Sequence, residues 1–266
     1  MNPPTNSRAT TAKGDALSPT SNIPVNDRTP KKGQAPKIHP AARPPSAGVR
    51  AGASDVVEVV KCEQHRSVGR LRYRVYVEEM GRQEPHADHT ARVVVDPVDE
   101  CAVVLAAFDR DGEATGTVRL QPSATLSPED QAFHAFDTLP EPLLHRAGLT
   151  SKLITDPIHR RGPLTARLML GIFRSGYEHG HRLNLINCNP PLDRFFARFG
   201  FVPVGEPKDH PVYGRVQIML LPMADLPHFR AIRSPFAALL EQFEPDPEAA
   251  QAVRDWCRSI GVQYWD

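Results

Sequence analysis

Proline and aromatic residues are distributed so unevenly that only part of this chain can form a packed core. Residues 1–52 contain nine prolines and no Phe, Tyr or Trp, and their eight basic and two acidic side chains give a net charge of +6. Such a segment cannot bury enough apolar surface to offset its conformational entropy, so we expect a disordered tail. The other 214 residues hold all 18 aromatic side chains and a net charge of −5. That length suffices for a substantial core.

Composition also excludes several classes of protein. No apolar run approaches the ~18 residues of a membrane-spanning helix, and the first residues lack the apolar stretch of a secretory signal. The positive charge of the tail is too dilute to predict a nucleic-acid partner. The four cysteines lie far apart without a CxxC pair, which is evidence against a disulfide framework or a zinc ribbon. We therefore expect a cytoplasmic protein with no membrane span and no nucleic-acid partner.

The pattern of apolar residues predicts a mixed α/β body. A β-branched run, a continuous apolar run and an alternating run predict strands at 55–62, 102–108 and 113–121, and Asp111-Gly112 predicts a tight turn between the last two. Helical spacing predicts a first helix at 64–80 that ends at Gly81. Further strands are expected at 151–156, 183–188, 201–204 and 216–221, and further helices at 163–178, 192–199 and 246–259. These elements suggest one domain over residues 53–223 and a helical extension over residues 224–266.

A basic turn precedes the helix at 163–178. It contains Arg160 and Arg161, and the free N–H groups and dipole of a helix start attract anions. The turn could therefore hold the phosphate or pyrophosphate of an acyl carrier. A basic turn before an amphipathic helix is the alternative, and the segment taken alone favours it slightly.

Two histidine pairs and one cysteine could also carry chemistry. His86 with His89, and His179 with His181, lack further ligands at fitting spacing, so we expect surface histidines and no metal. Cys188 ends a predicted strand and could be a nucleophile, but a buried thiol is the simpler expectation.

The basic turn, together with residues 187–201, resembles the acetyl-coenzyme A-type N-acyltransferase superfamily, whose fold is called GNAT. Members have an R-G-x-G-x-G/A loop before the donor-binding helix, and here that loop is residues 161–166, with Leu164 in place of a glycine. A later helix ends in Gly200-Phe201, and Phe196 stands where many members have a tyrosine general acid. The resemblance implies a mostly antiparallel twisted sheet flanked by helices. It also implies that the acyl donor contacts Ile154, Thr155, Arg160, Arg161, Gly162 and Leu164.

Three further motifs narrow the resemblance. Arg72 and Tyr76 lie one turn apart on the first helix, Asp96 and Asp99 form a D-x-x-D pair, and Arg119 lies in a G-x-x-R-L strand. This order, over roughly residues 55–222, resembles the acyl-homoserine lactone synthases and their relatives, the long-chain N-acyl amino acid synthases. The lactone synthases add E-x-x-R, whereas residues 149–152 here are LTSK and keep only the cation of Lys152. The sequence therefore favours the amino-acid-acylating relatives.

Acyl transfer to an amine gives these residues plausible roles. The enzyme must deprotonate an ammonium and stabilise an oxyanion. Asp96 and Asp99 could hold the ammonium, directly or through a water. Arg119 could pair with them or grip a substrate carboxylate, while Arg72 fixes the network and Tyr76 and Lys152 support it. A structural salt-bridge cluster that joins the first helix to the sheet is the alternative, and both can be true.

The sequence thus predicts an N-acyltransferase that moves a long-chain fatty acyl group to the amine of an amino acid or similar small molecule. The expected donor is a thioester of acyl carrier protein or coenzyme A, with no tightly bound cofactor. Carrier proteins are acidic, and a basic rim could steer them, although most such arginines belong to solvated helix faces. Two alternatives are an acetyl-coenzyme A-dependent acetyltransferase and a catalytically degenerate GNAT-fold binding module. The candidate rim residues are Arg160, Arg161, Arg167, Arg174, Arg194 and Arg198.

Overall fold

A computed structural model describes residues 55–190 and 192–264. The predicted disordered tail, residues 1–52, lies outside this range. Within it, no helix is both long enough and apolar enough to cross a membrane.

A seven-stranded sheet forms the centre of the described domain. Its strand order is β1-β4-β5-β6-β7-β9-β8, and only the β6–β7 pair is parallel. A separate hairpin pairs β2 with β3. The strands are β1 (Val56–Glu58), β2 (Ala87–Asp88), β3 (Val93–Val94), β4 (Val103–Phe108), β5 (Ala114–Pro122), β6 (Ala147–Thr155), β7 (Leu183–Cys188), β8 (Val202–His210) and β9 (Gly214–Pro222).

Helices cover the sheet. The first, α1, continues directly into a π-helical segment, Tyr73–Glu79, and such wider turns often occur at functional sites. Single-turn 3-10 segments connect several elements, among them Pro97–Cys101 and Pro157–His159. The α-helices are α1 (Cys62–Arg72), α2 (Pro128–Phe133), α3 (Glu141–Leu144), α4 (Leu164–Glu178), α5 (Asp193–Ala197), α6 (Leu226–Ala231), α7 (Phe236–Leu240) and α8 (Pro247–Ser259).

The predicted mixed α/β class, with a mostly antiparallel sheet between helices, is confirmed. The strand at 183–188 has the predicted bounds, and Gly112 adopts the positive φ of 79° that the β4–β5 turn requires. The strand expected at 55–62 is shorter, because the Gln64 side chain accepts the N–H groups of Val60 and Lys61 and thereby starts α1. The pattern missed the β2–β3 hairpin, α2, α3, α6 and α7, which are too short for periodicity to reveal.

Residues 224–264 share a core with α4 instead of forming one of their own. Phe173 of α4 stacks on Phe236 with ring centroids 4.3 Å apart and meets the edge of Phe229 at 5.7 Å. Both partners are fully buried. At the start of α8, the Asp246 side chain accepts the N–H of Ala249, as expected for a helix cap. The C-terminal helices therefore stabilise the helix that begins beside the candidate donor loop.

Strands β6 and β7 separate towards their carboxyl ends. Pairing covers only Ala147–Leu149 against Leu183–Leu185, although both strands continue beyond these residues. At the point of separation, the Asn184 amide accepts the N–H of Thr150 at 3.1 Å and donates to its hydroxyl at 2.7 Å. A side chain thus replaces the next ladder bond, and beyond it the sheet opens into a cleft.

Candidate active site

The ionic cluster consists of Arg72, Asp96, Asp99 and Arg119. Arg72 is fully buried on α1 and donates from both terminal nitrogens to the two oxygens of Asp99. Arg119, on β5, donates one nitrogen to Asp96 at 2.7 Å and to Asp99 at 3.3 Å. The sequence-predicted residues therefore come together, and their contacts join the first helix to the sheet.

Local structure sets the charge of this cluster. Asp96 caps the 3-10 segment Pro97–Cys101 and accepts the N–H of Val98 at 3.1 Å. Burial alone would raise the pKa of Asp96, but the adjacent Arg119 guanidinium and this N–H hold it below its usual value. Two guanidinium groups face two carboxylates, so the ionic cluster is neutral. Both oxygens of Asp96 and of Asp99 already accept hydrogen bonds.

The cleft between β6 and β7 contains two adjoining hollows. One, of about 160 Å³, has a polar end formed by Tyr76, Arg82, Ser151, Lys152, Asn189 and Tyr213. The other, of about 280 Å³, forms an apolar end lined by Val75, Met80, Leu153, Ile154, Thr155, Arg160, Thr165, Leu192, Phe195 and Phe196. Ser151 connects the polar end to the ionic cluster, because its hydroxyl accepts the Nε–H of Arg119 at 3.1 Å.

A broader hollow of about 1010 Å³ lies beside α1 and the β2–β3 hairpin. Asp96 and Asp99 line it, but Tyr76, Lys152 and the predicted donor-binding residues do not. The cleft is the better candidate because it gathers residues from the first helical segment, β6, β7 and the β8–β9 hairpin around both polar and apolar surfaces.

A β-bulge places Lys152 at the cleft. Arg119 pairs with Ser151 but Thr117 pairs with Ile154, so two residues of β6 oppose one of β5. Lys152 has a φ of +56°, a conformation uncommon for a residue with a side chain. The bulge turns the ammonium group towards the Tyr76 ring, 4.9 Å from its centroid. The strained backbone of Lys152 therefore lies at a residue whose side chain lines the cleft.

Lys152 pairs with Glu84, a residue that the sequence analysis missed. Their Nζ–Oε2 distance is 3.0 Å, and both side chains are buried. Burial lowers the pKa of Lys152, and the Glu84 carboxylate opposes that shift. Within the described residues, the second Glu84 oxygen is buried without a hydrogen-bond partner. Because buried polar atoms are ordinarily bonded, this oxygen marks a position for a donor.

Arg82 was also missed. Its guanidinium carbon lies 5.4 Å from the ring centroid of Tyr76 and 5.3 Å from that of Tyr213. Burial raises the pKa of both tyrosines, so their rings stay neutral at physiological pH. Arg82 was missed because a charged residue directly after the helix-ending Gly81 normally lies in a solvated loop. Its aromatic partner Tyr213 is far away in the sequence, so the local pattern does not reveal the contact.

The predicted donor loop is partly exposed. Arg160 forms a two-bond ion pair with Glu79 at 2.5 Å and donates to the Thr155 carbonyl at 3.3 Å. Arg161 and Gly162 are exposed. Leu164, the first residue of α4, buries its side chain in the core and so does not present it to the loop.

The remaining candidates show no catalytic arrangement. Burial raises the pKa of Cys188 to about 11, and its sulfur contacts Met219. His89 contacts the Tyr73 hydroxyl at 3.0 Å. The expectation of surface histidines is wrong for His181, which is buried. Across residues 55–190 and 192–264, no group of three or more metal-ligating side chains occurs.

Comparison with known proteins assigns the family. A family model described as "N-acyl amino acid synthase FeeM" matches residues 67–224, which include the ionic cluster and the cleft. The chain belongs to the FeeM N-acyl amino acid synthase family. As a member of this family, it is an N-acyltransferase. A search of curated proteins found no match.

Solved structures show the same fold as this FeeM family member. TofI is 20% identical, with a TM-score of 0.53, and the match covers 70% of this chain and 99% of TofI. BjaI, a coenzyme A-dependent acyl-homoserine lactone synthase, is 19% identical, with a TM-score of 0.51 over 71% of this chain and 99% of BjaI. The predicted GNAT-type fold and the resemblance to both groups of synthases are confirmed.

Proposed function

We propose that this FeeM family member transfers a long-chain fatty acyl group from a thioester to the amine of an amino acid or similar small molecule. The cleft carries the proposal, because it joins an apolar hollow of about 280 Å³ to a charged end. A fatty acyl chain would occupy the apolar end. The acceptor amine would enter the polar end, so that both reactants meet beside the β6 bulge.

The acceptor must lose a proton before it attacks the thioester carbon. The oxygens of Asp96 and Asp99 are already engaged by arginines and a backbone N–H. Glu84 does not itself line the cleft, but it pairs with Lys152, which does, and its unpartnered oxygen is the remaining carboxylate oxygen that could take this proton. With one proton on Glu84, the neutral amine attacks the thioester carbon, the C–N bond forms and the C–S bond breaks. The second proton lost by the amine nitrogen goes to the leaving thiolate, which departs as a thiol. A bulged strand also has an amide outside the ladder, which could donate to the developing oxyanion.

The donor would be acyl carrier protein or coenzyme A, used as a substrate and not as a bound cofactor. The exposed Arg161 supports a role for anionic carriers, because no described carboxylate forms an ion pair with it. We favour the acidic surface of acyl carrier protein as its partner. All four cysteines are described and none forms a disulfide, which supports a reducing compartment, and we place the reaction in the cytoplasm.

Thr165→Trp tests the assignment of the apolar end. Thr165 is half-buried at the start of α4 and lines this hollow, so an indole there shortens the space for an acyl chain. The full-length chain and the variant would be incubated with mixed C4–C16 acyl thioesters of both carriers and the twenty common amino acids. Mass spectrometry should detect N-acyl amino acids, and Thr165→Trp should shift them to shorter chains.

Thr165→Ser is the matched control and should retain the native distribution of chain lengths. An unchanged distribution in a folded Thr165→Trp protein would remove the apolar end from the proposal. Absence of N-acyl product from the native chain with every donor would contradict the proposed function itself.

A further inference from the structure

Arg82 is held at the polar end by three side chains from different parts of the chain. The ring centroids of Tyr76 and Tyr213 lie 5.4 and 5.3 Å from its guanidinium carbon. The Asn189 side chain accepts one of its N–H groups at 3.5 Å. Asn189 is itself fixed, because its amide donates to the carbonyls of Tyr213 and Arg215 at 3.1 and 3.2 Å. The guanidinium is therefore positioned before any ligand arrives.

The charge of Arg82 is not balanced by a neighbour. Lys152 is paired with Glu84, Arg119 with Asp96, and Arg160 with Glu79. Across the described part of the chain, by contrast, no carboxylate forms an ion pair with Arg82. Apart from the contact with Asn189, the guanidinium N–H groups of Arg82 have no hydrogen-bond partner among the described residues. The polar end thus carries one positive charge in excess.

A planar guanidinium in contact with aromatic rings can still offer the N–H groups along its edge. Two parallel N–H donors match the geometry of a carboxylate, and such a bond is stronger and more selective than a contact with a neutral group. The side chain is only half-buried, so a ligand can approach it. The partly apolar surroundings make the unbalanced charge more favourable to an anion than an exposed arginine would be.

We propose that Arg82 binds the carboxylate of the amine acceptor and thereby selects free amino acids over amines that lack a carboxylate. This inference rests on the proposed function, because it assumes that the acceptor enters the polar end. The unpartnered oxygen of Glu84, two residues along the chain, would receive the amine of the same molecule. An amino acid carries both complementary charges, whereas an amino acid amide carries only one.

The test compares each amino acid with its own amide. The full-length chain would be assayed with dodecanoyl-coenzyme A and dodecanoyl-carrier protein, first with the twenty common amino acids. The amino acid that gives most product is then compared with its amide by kcat/KM. We expect the native enzyme to prefer the acid by about 10- to 100-fold, the usual effect of a hydrogen bond to a charged group.

Variants separate recognition from a structural role. Arg82→Gln should raise KM for the amino acid by about 10- to 100-fold with little change in kcat. The ratio of kcat/KM for the acid to kcat/KM for the amide should fall close to the ratio of the uncatalysed rates of these two amines. Arg82→Lys should restore part of the preference. Arg110→Gln, in the exposed β4–β5 turn, should behave as the native chain.

Equal losses of kcat/KM for the acid and for the amide in Arg82→Gln would overturn the inference, because an arginine with a purely structural role would affect both acceptors alike. An equal kcat/KM for the acid and the amide in the native enzyme would also overturn it, and this outcome does not depend on any variant folding. Absence of an N-acyl product with every amine would instead refute the proposed function, and the inference with it.

Discussion

The ionic cluster and the polar end of the cleft both contain charged side chains, but they differ in how completely those charges are balanced. In the ionic cluster, two arginines neutralise two aspartates, and every carboxylate oxygen accepts a hydrogen bond. At the polar end, Arg82 keeps an unbalanced charge, and Glu84, the partner of the cleft-lining Lys152, keeps an unpartnered oxygen. Within the described residues, the Nε–H of Arg72 also lacks a hydrogen-bond partner, so the two regions differ in charge balance and not in every hydrogen bond. Balanced charges indicate a structural junction, whereas an unbalanced charge indicates a place for a ligand.

The motif residues have contacts that fit a structural role better than direct catalysis. The D-x-x-D pair and both arginines form the salt-bridge cluster that the sequence offered as an alternative to direct catalysis. Arg119 also holds Ser151 at the edge of the cleft, so the ionic cluster can influence the site without touching substrate. A positioning role for the ionic cluster and a substrate-binding role for the polar end agree with both sets of contacts.

The largest expected effect comes from breaking the ionic cluster at Arg72. Arg72→Met removes the partner of both Asp99 oxygens and leaves a buried carboxylate with a single arginine. We expect a loss of about 3–5 kcal/mol in the free energy of unfolding, measured with urea. Arg70→Met is the matched control, because the Arg70–Glu113 pair is 37% and 42% exposed and should contribute less than about 1 kcal/mol. Equal losses in the two variants would remove the distinction between the two regions.

A smaller effect, which depends on pH, is expected at Lys152. Its pKa is lowered in the folded chain, so above that pKa the unfolded state binds more protons and stability rises with pH. The free energy of unfolding of the native chain, relative to Lys152→Met, should therefore increase from the lowered pKa up to the unfolded value of about 10.4. Urea midpoints for both proteins between neutral pH and pH 10 would show this gain. A flat difference over that range would mean that burial does not penalise this ammonium.

The smallest effect is expected at the exposed Arg160–Glu79 pair, where both side chains are 39% exposed. Arg160→Gln should lower the free energy of unfolding by less than about 1 kcal/mol, because solvent and salt screen such pairs. If Arg160 also steers an anionic donor, KM for the acyl thioester should rise a few-fold at low salt and return towards the native value at high salt. A loss of stability in Arg160→Gln as large as that in Arg72→Met would show that burial does not explain why the two ion pairs differ in their contribution to stability.

The local pattern predicted the principal strands and helices because their apolar periodicity and turn residues are encoded within short windows. Where it failed, as at the β2–β3 hairpin and the short helices, the elements have too few residues for a period to emerge. Resemblance to known motifs singled out Arg72, Asp96, Asp99 and Arg119, whose side chains are in contact, and their catalytic role stays a prediction. It did not identify Glu84 or Arg82, whose positions look like an ordinary polar loop after Gly81.

The sequence by itself determined the α/β class, the order of the motifs and the family to which they point. Tertiary structure alone decided which charges are neutralised and which remain available. The β6–β7 ladder ends at Leu149 and Leu185, and β6 bulges at Lys152. The separated strands admit side chains from the first helical segment and the β8–β9 hairpin. Charge pairing depends on distances between residues far apart in the chain, and those distances exist only after the sheet has formed.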